Sequence, residues 1–146
     1  MKSKLLHESD GQRTFAIVLA SEDEALHCLG RFAAAEGLAA ASFSAIGAFR
    51  RAELAFFDWE SKEYLAIPVD QQAEVVSMIG DVACGADDRP VVHAHAVLGT
   101  RDGTAIAGHF KEGIVRPTLE IILIESPAYL RKRRDPTSGL ALLALD

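Results

Sequence analysis

The chain has 146 residues, 49% of them hydrophobic and 25% charged, with a formal net charge of −6. This length and balance suit a single compact domain over 1–146, and the acidic surplus disfavours generic binding to phosphate backbones unless the cations gather on one face. Cys28 and Cys84 lie far apart without a CxxC partner, which argues against a thiolate zinc cluster or a disulfide framework.

The N-terminal stretch MKSKLLHESDGQ lacks a signal-peptide core, and no run approaches the ~18 apolar residues that a membrane span needs. The expectation is a soluble, cytoplasmic protein with no membrane partner. Leu5–Glu8 and Thr14–Ala20 flank the turn signal Asp10-Gly11 and predict a hairpin. Ser21 followed by Glu24 has capping-box spacing, Leu26, Leu29, Phe32 and Ala33 share one face, and Gly37 suits a C-terminal cap. Residues 22–36 are therefore expected to be helical.

From Leu38 onward the period shortens. Strands are expected at about 39–49, 52–59, 63–67, 73–84, 90–98, 104–111 and 118–125, divided by Gly, Pro, Asp and Ser signals. Ser126-Pro127 reads as a helix start, so AYLRKRR is expected to make one or two helical turns before DPTSG and a last apolar segment, LALLAL. The fold class is α+β: a mostly antiparallel sheet of about seven strands, one main helix and a short C-terminal helix.

Three of the five histidines fall in VVHAHAVLGTRDGTAIAGHF, residues 91–110. Residues two apart in a strand point to the same side, about 6.5 Å apart, so His93 and His95 can converge on one ion. His109 depends on the turn. A three-residue loop with Arg101 and Asp102 in a type I turn and Gly103 left-handed sets Thr100 opposite Thr104, and counting back sets His95 opposite His109. A two-residue Asp-Gly turn would send His109 to the opposite face. In the first register the three imidazoles form a metal site with an open fourth position for water or substrate; zinc is the first choice of divalent metal, with nickel, iron and copper as alternatives.

Other residues invite functional readings beside plainer ones. Glu74 opens an apolar strand and could act as a general base beside a metal-bound water, or simply solvate a strand end. Arg50, Arg51 and Glu53 could hold a carboxylate or phosphate, or meet a neighbouring subunit. RKRR at 131–134 could touch phosphates, or form a solvated helix face, since no aromatic residues interleave with it. No GxGxxG or Walker pattern supports a nucleotide cofactor.

The order IGAFRRAELAFFD, SKEY, AEVVSMIGDV, RPVVHAHAVLG, RDGTAIAGHF and PTLEIIL resembles the plant and prokaryote conserved (PPC) domain, over roughly residues 10–125. The tail YLRKRRDPTSGLALL resembles the family's prokaryotic, stand-alone branch. The resemblance implies a mainly antiparallel sheet with flanking helices, trimeric assembly, and metal binding at His93, His95 and His109. Two features depart from the plant pattern: Gln71-Gln72-Ala73 stands where plant members have Gly-Arg-Phe, and there is no Arg-Gly-Arg-Pro hook.

An independent ground for a homotrimer is that one helix covers only part of one sheet face. Val75, Val76, Met78, Ile79, Ile121, Ile122, Leu123 and Ile124 cannot all point at it. The functional expectation is a metal-dependent enzyme or small-ligand binder with Glu74 as candidate catalytic residue and no specific DNA binding without a partner. The alternative is a non-catalytic trimeric assembly module associated with DNA binding or transcriptional regulation.

Overall fold

The computed structural model describes residues 1–127 and 129–145. Among them are nine strands, β1 (Lys2–Ser9), β2 (Gln12–Ala20), β3 (Ala40–Asp58), β4 (Glu63–Val69), β5 (Ala73–Cys84), β6 (Pro90–Gly99), β7 (Ala105–Glu125), β8 (Arg131–Arg134) and β9 (Ala141–Ala144), and one helix, α1 (Ala25–Ala35). All pair in one sheet and every pairing is antiparallel except the single β5–β8 bridge. No helix is long and apolar enough to cross a membrane.

The N-terminal hairpin forms as expected, with Asp10 and Gly11 both at positive φ in the two-residue turn. The helix begins later than the Ser21 capping-box spacing suggests. Its N-cap is Glu24, whose carboxylate accepts from the backbone N–H groups of Leu26 and His27 at 3.2 and 2.7 Å. Ser21 Oγ instead donates to the Pro117 carbonyl at 3.3 Å. The other end is as anticipated. Gly37 has φ +64°, and the Leu38 and Gly37 amides reach back to the Ala33 and Ala34 carbonyls, satisfying groups the helix leaves over.

Two expected strand breaks are absent. Segments 39–49 and 52–59 run on as β3, which absorbs irregularities in its pairing with β7 rather than turning. Likewise 104–111 and 118–125 join as β7. Gly113, in the expected gap between them, serves close packing: a Cβ there would stand 2.7 Å from the Phe110 ring and 2.8 Å from the Phe49 ring. These rings stack with centroids 5.3 Å apart.

The expected C-terminal helix is not formed. Ala128, which that expectation included, lies outside the described residues, but Arg131–Arg134 is strand β8, paired with β9 from Arg131↔Ala144 to Arg134↔Ala141. Two contacts favour the extended form: the Cys84 amide donates to the Leu130 carbonyl at 2.9 Å, and Lys132 turns inward to a buried position. The linking turn is closed by the Asp135 carboxylate, which accepts from Ser138 N and Oγ at 2.7 and 2.6 Å.

The strand pairings close a circuit. β3 pairs with β5, β5 with β6, β6 with the first part of β7, and β7 again with β3. Inside lie Phe43, Phe49, Leu54, Met78, Leu98 and Phe110, while α1 lays Leu29 and Phe32 over the sheet. On the opposite side of the sheet Val18, Ile46, Val76, Ile79, Ile122 and Ile124 are exposed, whereas Val75, Met78, Ile121 and Leu123 are buried.

β5 and β6 approach closely at Gly80, where a Cβ would fall 2.4 Å from the His93 carbonyl oxygen and 2.5 Å from the Phe43 ring. Gly80→Ala should therefore destabilise the protein by about 1–3 kcal/mol, the usual cost of overpacking. Urea denaturation followed by circular dichroism measures this; a change below about 0.5 kcal/mol would show that the ladder opens freely there.

Candidate metal centre

The β6–β7 turn decides the register. Thr100 N donates to the Thr104 carbonyl at 2.9 Å, Gly103 N to the Thr100 carbonyl at 2.9 Å, and Gly103 has φ +84°. Asp102 locks the loop by accepting from Thr100 Oγ1 at 2.5 Å and from Thr104 N at 3.1 Å. The three-residue loop is thus the one formed, and His95 stands opposite His109.

The imidazoles of His93, His95 and His109 lie with ring centroids 5.1–5.3 Å apart, and one nitrogen of each falls within 4.8 Å of the others. His109 Nδ1 is buried with no hydrogen-bond partner among the described residues. An orphaned ring nitrogen amid two further imidazoles fits a divalent ion, and three nitrogen donors with room for a fourth group match a catalytic-type zinc site. His93, His95 and His109 would hold it.

Around the triad stand Asp81 and Tyr64, which the sequence reading did not single out, and Lys132, which it read as touching phosphates or lying on a solvated helix face. Asp81, opposite His93 across the β5–β6 ladder, places Oδ2 3.2 Å from His93 Nδ1. A carboxylate can only accept, so His93 carries its hydrogen on Nδ1 and keeps Nε2 for an ion. Lys132 Nζ, with its side chain 5% exposed, lies 2.7 Å from Asp81 Oδ1. Burial works to raise the Asp81 carboxyl pKa, but the hydrogen bonds to His93 and Lys132 outweigh it and hold the group below its ordinary value. Tyr64 of β4 stacks on His109 with centroids 4.6 Å apart, and burial raises its phenol.

Asp81 was within reach of the sequence. Expected bounds of 73–84 and 90–98 pair 84 with 90, and three steps along bring 81 opposite 93. Lys132 offered no such signal, because the tail read as a solvated helix.

The other candidates stand elsewhere. Glu74 is at the start of β5, opposite Gly99, in a separate polar cleft with Gln71, Gln72, Thr100 and Arg101. It lies about 23 Å along the strand from Asp81 by the usual rise, so one chain does not bring it to the histidines. Arg50 pairs with Glu22 and Arg51 with Glu112, each at 3.0 Å on the surface, and with Glu53 they form no clamp near the triad. In the basic run, Arg131 binds Asp88 and Lys132 binds Asp81.

The family model described as the Plants and Prokaryotes Conserved (PCC) domain matches residues 6–127. The chain belongs to this family. Structures of PCC-domain relatives superpose closely. A PPC protein of Pyrococcus horikoshii is 33% identical with a TM-score of 0.85, covering 90% of this chain and 91% of that one. A metal-containing protein of Archaeoglobus fulgidus is 27% identical over 99% of each chain, with a TM-score of 0.84. A protein of Ralstonia eutropha, provisionally named for DNA binding, is 26% identical over 90% of this chain and 91% of that one, with a TM-score of 0.84. No curated protein matches. The PCC model ends at residue 127, before Lys132 and its hairpin.

Asp81→Asn and Lys132→Met should each weaken zinc binding, by about 10–100-fold for Asp81→Asn, because support of a ligating histidine is commonly worth that much. Competition against a chromogenic chelator reads the affinity; wild-type values in both folded variants would leave Asp81 and Lys132 no part in the site.

Burial, reinforced by repulsion from His93, His95, Lys111 and Lys132, pushes the His109 imidazole down to about 4. Burial, then His93, also lowers His95. With a folded pKa below the ~6.5 of an unfolded histidine, the unfolded chain takes up the proton first, so stability is complete above ~6.5 and is lost as pH falls towards about 4. Metal-free protein should show a lower urea midpoint at pH 5 than at pH 7.5, and His109→Asn should shrink that difference. An undiminished difference in the variant would assign the loss to other groups.

Proposed function

We propose that this PCC-domain chain is a homotrimeric, tris-histidine metal-binding protein that engages a small ligand as a metal-dependent enzyme or binder, with zinc as its resident ion. The observation that carries the proposal is the meeting of His93, His95 and His109 in the lining of a cleft of about 690 Å³. When bound, the ion would supply a Lewis acid and lower the pKa of a ligated water to about 7.

The chain's own groups have separable tasks. Asp81 fixes the tautomer of His93, Lys132 holds Asp81 in place, and Tyr64 covers one face of His109. Apart from the histidines, Lys132 is the only charged side chain among the described residues lining the cleft. Glu74 as a general base therefore requires assembly, with the partner subunit's Glu74 brought to this cleft.

The trimer rests on the exposed row Val18, Ile46, Val76, Ile79, Ile122 and Ile124, each at least 42% exposed. Exposed apolar residues in such number on one face of a −6 chain make the kind of surface that cyclic assembly hides. The non-catalytic, DNA-associated alternative draws on the naming of relatives, while Arg131 and Lys132 of the basic run are committed to internal carboxylates.

Protein purified without a polyhistidine tag should contain about one divalent ion per chain, and His109→Ala should lose most of it. Sedimentation should give three chains per particle before and after chelation. Undiminished metal in His109→Ala, or a monomer at micromolar concentration, would refute the site or the assembly respectively.

A further inference from the structure

We infer that the cleft beside the histidines is a binding site for a small aromatic carboxylate, its anionic head towards the histidines and Lys132 and its ring between the aromatic wall of β3–β4 and the leucines of the C-terminal hairpin. The inference deepens the metal-site reading and rests on it.

The walls specify the body of the ligand. Phe57 and Tyr64 stand edge to face at 5.3 Å in its lining, which also includes Val91, Leu140 and Leu142. Val91 is 41% and Leu142 47% exposed, so both keep apolar surface turned to water at a cleft of small-molecule size. A flat ring fills such a slot with little conformational entropy to lose and meets the aromatic edges in their preferred geometry.

Charge specifies the head. The chain carries −6 overall, yet the cations acting on the triad are Lys132, in the cleft lining, and Lys111, whose Nζ lies 5.0 Å over the Tyr64 ring. Asp81 is paired with Lys132 and His93, and no carboxylate is among the described residues that line the cleft. A lining of imidazoles and one lysine side chain without a carboxylate favours an anion over a cation. No arginine lines the cleft among the described residues, so the fork that recognises phosphate is missing and a single carboxylate fits better.

The test uses the zinc-replete full chain, titrated calorimetrically with 2-naphthoate and with acetate. Naphthoate should bind at least about tenfold more tightly, the return on burying its rings. Val91→Ser and Leu142→Ser, both at exposed positions, should each narrow that ratio several-fold while leaving zinc content and acetate affinity unchanged. Equal affinity for the two anions, an unaltered ratio in both variants, or no binding of either because a neighbouring chain fills the cleft would overturn the inference. Zinc measured on the same samples separates the failures: full zinc with equal affinities removes the aromatic site alone, and absent zinc removes the metal reading with it.

Discussion

Strand parity governs this molecule. Side chains alternate faces along a strand, so whether three histidines meet or scatter is decided by one residue more or less in a turn. Here the loop Arg101–Gly103, pinned by the Asp102 carboxylate, supplies the odd count that sets His95 opposite His109. The same alternation buries Ala94, Ala96 and Leu98 on the reverse face, so a slip in register would expose core residues as it dismantled the triad. The site's geometry is thereby insured by the hydrophobic stabilisation of the whole sheet.

Around this hairpin the closed circuit of β3, β5, β6 and β7 acts as a frame. It lays Asp81 beside His93 through one ladder and, through β3 and β4, brings Tyr64 onto His109. Burying Lys132 and Asp81 is costly in itself, and such a pair is repaid only by good geometry and further hydrogen bonds. The Asp81 carboxylate turns one oxygen to each neighbour, Oδ2 to His93 Nδ1 at 3.2 Å and Oδ1 to Lys132 Nζ at 2.7 Å. Conformational precision at the histidines is what the arrangement secures.

Much of this was legible in the sequence for definite reasons. Period-two patterning located β5 and β6 with their ends nearly as observed, and the glycine after Arg101-Asp102 identified the loop type. The PCC resemblance, read on the motifs around those histidines, agrees with the family match. What failed were boundaries where one residue type serves two physical ends. Gly113 falls in an expected strand break yet makes room for two phenylalanine rings, and Ser21 looked like a cap while Glu24, three residues on, held the amides. Glu74 drew notice as an acid on an apolar strand, yet distance along β5 removes it from its own chain's triad. The tail misled most: Ser-Pro followed by clustered cations is a sound helix signal, overridden by pairing with β9 and by the pull of Asp81 on Lys132, neither of which local sequence can reveal.

Lys132 reaches the triad from the far end of the chain. The three histidines and the strands that carry them lie within residues 6–127, while the cation beside Asp81 arrives on the β8–β9 hairpin, which is joined to β5 by a single ladder bridge. Leu140 and Leu142, from the same terminal stretch, line the cleft. Removing residues 131–146 would therefore strip away a cation and two apolar neighbours while leaving the ladder that aligns His95 with His109 intact.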